Sequence, residues 1–200
     1  MRRGAAITLA LAGWGAACSS AGDSGDDGNA ALFTASPDAA LTEAFGPAIS
    51  LAQDRSPAAF HGDFNGDGYA DLIAFARAEG SGDATPAGVR VLRPWTASGE
   101  PPPAGLSAGA DVMLAIVHGS PGGESREAFL LHDPDTPSIL DTRAAREAFV
   151  VDRGSASTLN PEIARRAGGD ILVLPTEAGI DTFLYWDGST YRAYQPLEYP

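Results

Sequence analysis

Four side chains with the chemistry to hold a metal ion fall within one short run, Gly62-Asp63-Phe64-Asn65-Gly66-Asp67-Gly68-Tyr69-Ala70-Asp71. Counted from Asp63, the residues Asp63, Asn65, Asp67 and Asp71 stand at positions one, three, five and nine, and the backbone carbonyl of Tyr69 supplies position seven. Oxygen donors at this spacing can wrap a single hard cation. No soft ligand stands among them, so calcium is the expected ion. Gly68 permits a sharp bend after the third ligand, and Gly66 relaxes the loop further. The alternative is a loop of Asx turns with no ion. Three carboxylates gathered without a counter-charge repel one another, which favours the metal. Position twelve is Ala74, where an EF-hand needs a bidentate Glu, and Leu72-Ile73-Ala74-Phe75 reads as strand. The spacing therefore predicts a loop entered and left by strands.

Gly62 to Ala74, GDFNGDGYADLIA, resembles the calcium loop of FG-GAP/VCBS-type repeats, which occur in integrin α-subunit propellers and many bacterial surface proteins. The resemblance spans roughly fifteen residues and implies a calcium site with the ligands named above. It occurs once, and a propeller needs several repeats, so no propeller is implied. The wider layout also resembles bacterial secreted proteins that carry one such loop and a C-terminal aromatic W-D-G hairpin, here Tyr185-Trp186-Asp187-Gly188.

Other constellations are weaker. Gly105-Leu106-Ser107-Ala108-Gly109 matches G-x-S-x-G, and His118-Gly119-Ser120-Pro121-Gly122-Gly123 resembles the oxyanion loop of α/β-hydrolases. An envelope serine hydrolase using Ser107 or Ser120 with His118 is the alternative function. Against it, the oxyanion loop follows the nucleophile when it should precede it, and Ser107 follows a proline run instead of a strand. No catalytic residue is assigned. His118 and His132 each end an apolar stretch and could share neighbouring strand ends, with Glu124 or Asp133 completing a zinc or acid–base site. No tight ligand spacing supports this, and backbone-bonded strand-end histidines are the simpler reading. Tyr185, Trp186, Tyr191, Tyr194 and Tyr199 crowd the C-terminal end. They either close a small core or form an exposed glycan or ligand platform, and the first is the commoner use.

Elements that would position the loop are legible from pattern. Asp71 to Arg77 (DLIAFAR) is apolar on both faces and predicts a central, buried strand. Val89–Trp95, Asp111–His118, Ala128–His132, Ala148–Asp152 and Asp170–Leu174 are further strand candidates. Thr182–Trp186 and Thr190–Tyr194 form a hairpin around Asp187-Gly188. Ser36-Pro37-Asp38 starts a short helix that Gly46-Pro47 stops. Asn160-Pro161 starts a second, with Arg165 and Arg166 at its negative end and Gly168 to close it. Gly80–Gly88 and Pro101–Gly109 read as loops. The expected fold is α+β and β-rich: a mainly antiparallel sheet, one strand-flanked calcium loop and two short helices.

The 200 residues carry a formal charge of −13, and all basic residues are Arg. The acidic balance argues against a nucleic-acid partner, which needs a basic face. Met1-Arg2-Arg3 followed by the apolar Ala5–Ala12 reads as an export signal over residues 1–17. Gly15-Ala16-Ala17-Cys18 resembles a bacterial lipobox, with Gly15 where Leu is usual. Cys18, the only cysteine, is the expected lipidation point; simple cleavage and secretion is the alternative. Residues 18–30 form a polar tether, and 31–200 a single domain. Asp23, Asp27 and Gly28 echo the metal loop faintly but belong to that tether. The expected partners are calcium, a membrane reached through the lipid, and another envelope protein or a glycan. The expected location is the cell envelope, as an outer-membrane lipoprotein.

Overall fold

A computed structural model describes residues 36–79, 87–94, 112–121, 127–132, 140, 144–176 and 179–196. The signal, Cys18, the tether, Ser107 with its G-x-S-x-G run, Gly122-Gly123, Glu124, Asp133 and Tyr199 lie outside them.

Among the described residues there are ten strands and four α-helices. In chain order they are α1 (Pro37–Phe45), β1 (Ile49–Leu51), β2 (Ala59–Gly62), β3 (Asp71–Ala78), β4 (Val89–Leu92), β5 (Val112–Val117) and β6 (Ala128–Leu131). Then follow α2 (Ala144–Glu147), β7 (Phe149–Val151), α3 (Ala156–Leu159), α4 (Pro161–Arg166), β8 (Ile171–Leu174), β9 (Thr182–Trp186) and β10 (Tyr191–Tyr194). The strands form two sheets. The first runs β1-β3-β5-β6-β4, with β2 also paired to β3; the second runs β10-β9-β8-β7.

Period-two alternation decides the layering. On β3, Ile73 and Phe75 point to the interior between the sheets, where Leu114, Ile116, Phe129 and Leu131 join them. The second sheet answers with Leu172, Leu174, Leu184, Trp186 and Tyr191. The alternate residues of β3, Leu72, Ala74 and Ala76, face outward and are covered by Ala40, Leu41 and Phe45 of α1. Ile171, Val173, Phe183 and Tyr185 on the outer face of the second sheet are covered by Ala156, Ile163 and Ala167, from α3, α4 and the residue after it. The molecule is thus four layers, helix–sheet–sheet–helix. This explains why β3, β5, β6, β8 and β9 are apolar on both faces: each has a packing partner on both sides. Burying one Phe or Leu side chain in such a layer contributes roughly 1.5–3 kcal/mol.

Local signals behave as their chemistry requires at the helix starts. The Ser36 hydroxyl accepts from Ala39 N at 3.3 Å, and Asn160 Oδ1 accepts from Glu162 N at 2.9 Å and Ile163 N at 3.2 Å. Gly46 (φ 69°) ends α1. The sheets are mainly antiparallel, as expected, with a parallel pairing of β4 and β6 at the far edge of the first sheet. Three expectations need correction. Four α-helices are present among the described residues, not two: α2 and α3 are added, and α3 joins α4 over the second sheet. The terminal hairpin turns through four residues, 187–190, since Trp186 is opposite Tyr191. Asp187 organises that turn, its Oδ1 accepting from Ser189 N at 3.0 Å and Thr190 N at 3.0 Å. Lastly, α4 is capped by Ala167, and Gly168 serves a different purpose.

Candidate metal centre

The Asp63–Asp71 loop links β2 to β3 at the seam between the two sheets. Gly66 and Gly68 both have left-handed backbones, with φ 78° and 89°, which L side chains rarely adopt. Around them the carboxylates fold the loop onto itself. Asp63 Oδ1 accepts from Gly66 N at 2.8 Å and Asp67 N at 3.0 Å, and Asp63 Oδ2 accepts from Gly68 N at 2.9 Å. Asn65 Oδ1 accepts from Asp67 N at 2.9 Å, and Asp67 Oδ1 from Tyr69 N at 2.9 Å. Asn65 Nδ2 donates to Asp67 Oδ2 at 2.9 Å.

Asp71 differs from the other loop acids: it is fully buried. Its Oδ2 accepts from Phe64 N at 2.9 Å and Asn65 N at 3.1 Å, and its Oδ1 from Gly119 N at 2.8 Å. It ties the start of the loop, the head of β3 and the end of β5 together. Burial pushes its pKa up to about 7. The hydrogen bonds from Gly119 and Asn65 oppose the rise, and the negative charges of Asp67 and Asp63 add to it.

The loop is clasped from outside. Asp170, at the head of β8, pairs with Asp63 twice: Asp170 N donates to Asp63 O at 2.7 Å, and Asp63 N donates to Asp170 Oδ2 at 2.9 Å. The turn before it, Gly168-Gly169, lies against the loop backbone so closely that no side chain fits. A Cβ on Gly169 would overlap the Asp63 carbonyl oxygen and stand 2.6 Å from Gly66 N. A Cβ on Gly119, on the opposite side, would overlap the Ala70 carbonyl oxygen. Sequence reasoning missed Gly169 and Asp170. The available signal was a second glycine where helix termination needs only one, followed at once by an acid.

Beneath the loop lies a buried aromatic cluster that joins the sheets. His118 and Phe129 come from the first sheet, Trp186 and Tyr191 from the second. The His118 and Trp186 rings are 5.2 Å apart, and those of Phe129 and Tyr191 are 5.6 Å apart. His118 Nε2 is 2.8 Å from the Tyr191 hydroxyl. Burial depresses the His118 pKa to about 4, so the ring is neutral at neutral pH. Burial, then the charges of Asp71, Glu127, Asp63 and Asp67, raise that of Tyr191. The proposed meeting of His118 with His132 does not occur. β5 and β6 are antiparallel, so His118 lies beside Glu127 at one end of the pair and His132 beside Leu92 at the other. Five strand residues separate those ends, about 17 Å. Tyr185, Trp186 and Tyr191 are all buried, which makes these C-terminal aromatics core.

Residues 58–90 match the FG-GAP repeat. The matched segment is β2, the Asp63–Asp71 loop, β3 and the first two residues of β4, about a sixth of the chain. No curated protein and no solved structure matches the sequence. The FG-GAP match suggests an extracellular structural or interaction module. Here the repeat does not stand as a blade. Its β3 is central to a six-stranded sheet.

The donor set fits a hard cation in kind: carboxylate, amide and carbonyl oxygens on one short loop. Among the described residues, no group of three or more Asp, Glu, His or Cys side chains converges as a metal cluster; the loop acids are turned onto backbone N–H groups. A carboxylate offers about four lone-pair positions. Asp63 Oδ2, Asp67 and Asp71 Oδ1 therefore each retain acceptor capacity beyond those bonds. The charges that raise Asp71 are both negative, which is the imbalance a cation would relieve.

Proposed function

We propose that the protein is an exported calcium-binding structural or interaction module of a bacterial cell envelope, held to the outer membrane by a lipid on Cys18. The observation that carries this reading is the anionic loop at the inter-sheet seam, with Asp71 buried among like charges and Asp63 and Asp67 beside it. Asp63, Asn65, Asp67, the Tyr69 carbonyl and Asp71 would hold the ion. Bound calcium would supply positive charge at the point where β2, β3 and the second sheet meet. In this reading the ion is structural, pinning the entry to β3. The partner class that fits such a module is another envelope protein or a glycan.

Affinity on the order of 10⁻⁴ M is expected for an extracellular module. At ~1 mM calcium this stabilises the fold by about 1.4 kcal/mol. For a chain of this size the melting temperature should rise by about 3–6 °C over that in EGTA. Calorimetric titration and paired melts test it. The absence of binding heat, with identical melts in calcium and chelator, would sink the reading.

A further inference from the structure

We propose that Asp170 is a positioning residue for the cation site: from the second sheet it fixes the backbone of Asp63, the first ligand of the loop. The inference rests on the reading of that loop as a cation site. Asp63 is held on both sides of its Cα, its N–H by Asp170 Oδ2 at 2.9 Å and its carbonyl by Asp170 N at 2.7 Å. The Asp170 carboxylate is itself oriented, because its Oδ1 accepts from Arg153 N at 3.1 Å. With its Cα fixed, Asp63 directs its carboxylate into the loop, where Gly66, Asp67 and Gly68 donate to it. Order thus passes from the second sheet through Asp170 to Asp63 and then to the other ligands. Groups that orient metal ligands in this way typically change affinity 10–100-fold when lost. A consequence is that ion binding and docking of the second sheet are coupled, since both need the same Asp63 conformation.

A carboxylate near a cation could instead act by charge alone, and two substitutions separate the possibilities. Asp170→Asn removes the charge and keeps an oxygen able to accept from Asp63 N, giving up only the bond from Arg153 N. Gly62→Ala keeps the charge, but the new Cβ would stand 2.8 Å from Asp170 Oδ2 and push the carboxylate off its partner. Calcium titration of the full chain should give a 10–100-fold weaker Kd for Gly62→Ala and no more than about a fivefold change for Asp170→Asn. In EGTA, the Asp63 amide should exchange with solvent faster in Gly62→Ala and stay protected in Asp170→Asn. Asp170→Ala replaces Gly62→Ala if the latter does not fold, with the same expectation. Tight binding by Gly62→Ala, or large weakening confined to Asp170→Asn, overturns the positioning role. If the unsubstituted protein binds no calcium, the cation reading itself has failed and the inference falls with it.

Discussion

Gly169→Ala isolates the contact between the loop and the second sheet with a single carbon atom. Gly169 does not have a left-handed backbone, so alanine meets no conformational penalty there and the cost is contact alone. The new Cβ would overlap Asp63 O and lie 2.6 Å from both Gly66 N and Phe64 C. All three are backbone atoms and cannot rotate away. Relief requires the loop and the turn to separate. Overpacking of this kind costs about 1–3 kcal/mol. Separation also weakens the two Asp63–Asp170 hydrogen bonds, worth about 1 kcal/mol for the backbone pair and about 1.5–3 kcal/mol for the carboxylate. The expected loss is about 3–6 kcal/mol, a large part of a typical total of 5–15 kcal/mol. Urea unfolding followed by far-ultraviolet circular dichroism, in EGTA, measures it without a contribution from calcium. With a slope of about 2 kcal/mol/M the midpoint should fall by about 1.5–3 M. Gly154→Ala is the control. There, on an exposed turn, the Cβ meets only one side-chain atom, Asp152 Oδ1, at 3.1 Å, and the change should stay within about 0.5 kcal/mol. If Gly169→Ala is no less stable than Gly154→Ala, the loop is not docked on the Gly168-Gly169 turn.

Asp71→Ala leaves the N–H groups of Phe64, Asn65 and Gly119 without their acceptor. At about 1–3 kcal/mol for each unsatisfied buried group, a loss of at least about 3 kcal/mol is expected in EGTA as well as in calcium. A loss seen only in calcium would show that Asp71 acts solely as a ligand, and would refute its role as a tie. The fold also predicts a pH effect from His118, whose pKa falls from 6.5 to about 4 on burial. A depressed histidine pKa leaves its stability intact above pH 6.5. That stability is lost as pH falls towards 4, by up to about 3 kcal/mol. Glu127 (3.8 Å from Nδ1), the Tyr191 hydroxyl, Arg90 and Asp67 face the ring or act on it, and Asp71 titrates with opposite sign over an overlapping range. The test is therefore a difference: wild type should lose more stability between pH 6.5 and 4.5 than His118→Gln, which shares every other group. Parallel pH profiles would refute the assignment.

The sequence by itself determined the local conformations. Pro37 and Pro161 behind capping Ser36 and Asn160 start helices because capping is settled within four residues. The two-faced apolar run of β3 announces a central strand for a similar reason, since alternation needs no knowledge of what lies opposite. The loop acids at their nine-residue spacing, with glycines at the left-handed positions, likewise depend only on neighbours in the chain. Tertiary structure decided what those pieces meet. Asp71 becomes a buried tie only because the end of β5, forty-eight residues away, presents Gly119 N to it. Gly169 is a contact surface only because the loop lies on it, and sequence position made it look like the tail of a helix stop. His118 and His132 are kept apart by antiparallel pairing, which reverses which strand ends are neighbours. Asp170 reaches Asp63 across 107 residues. Local rules cannot carry such pairings, because they exist only when two sheets, each already apolar on its inner face, close on one another.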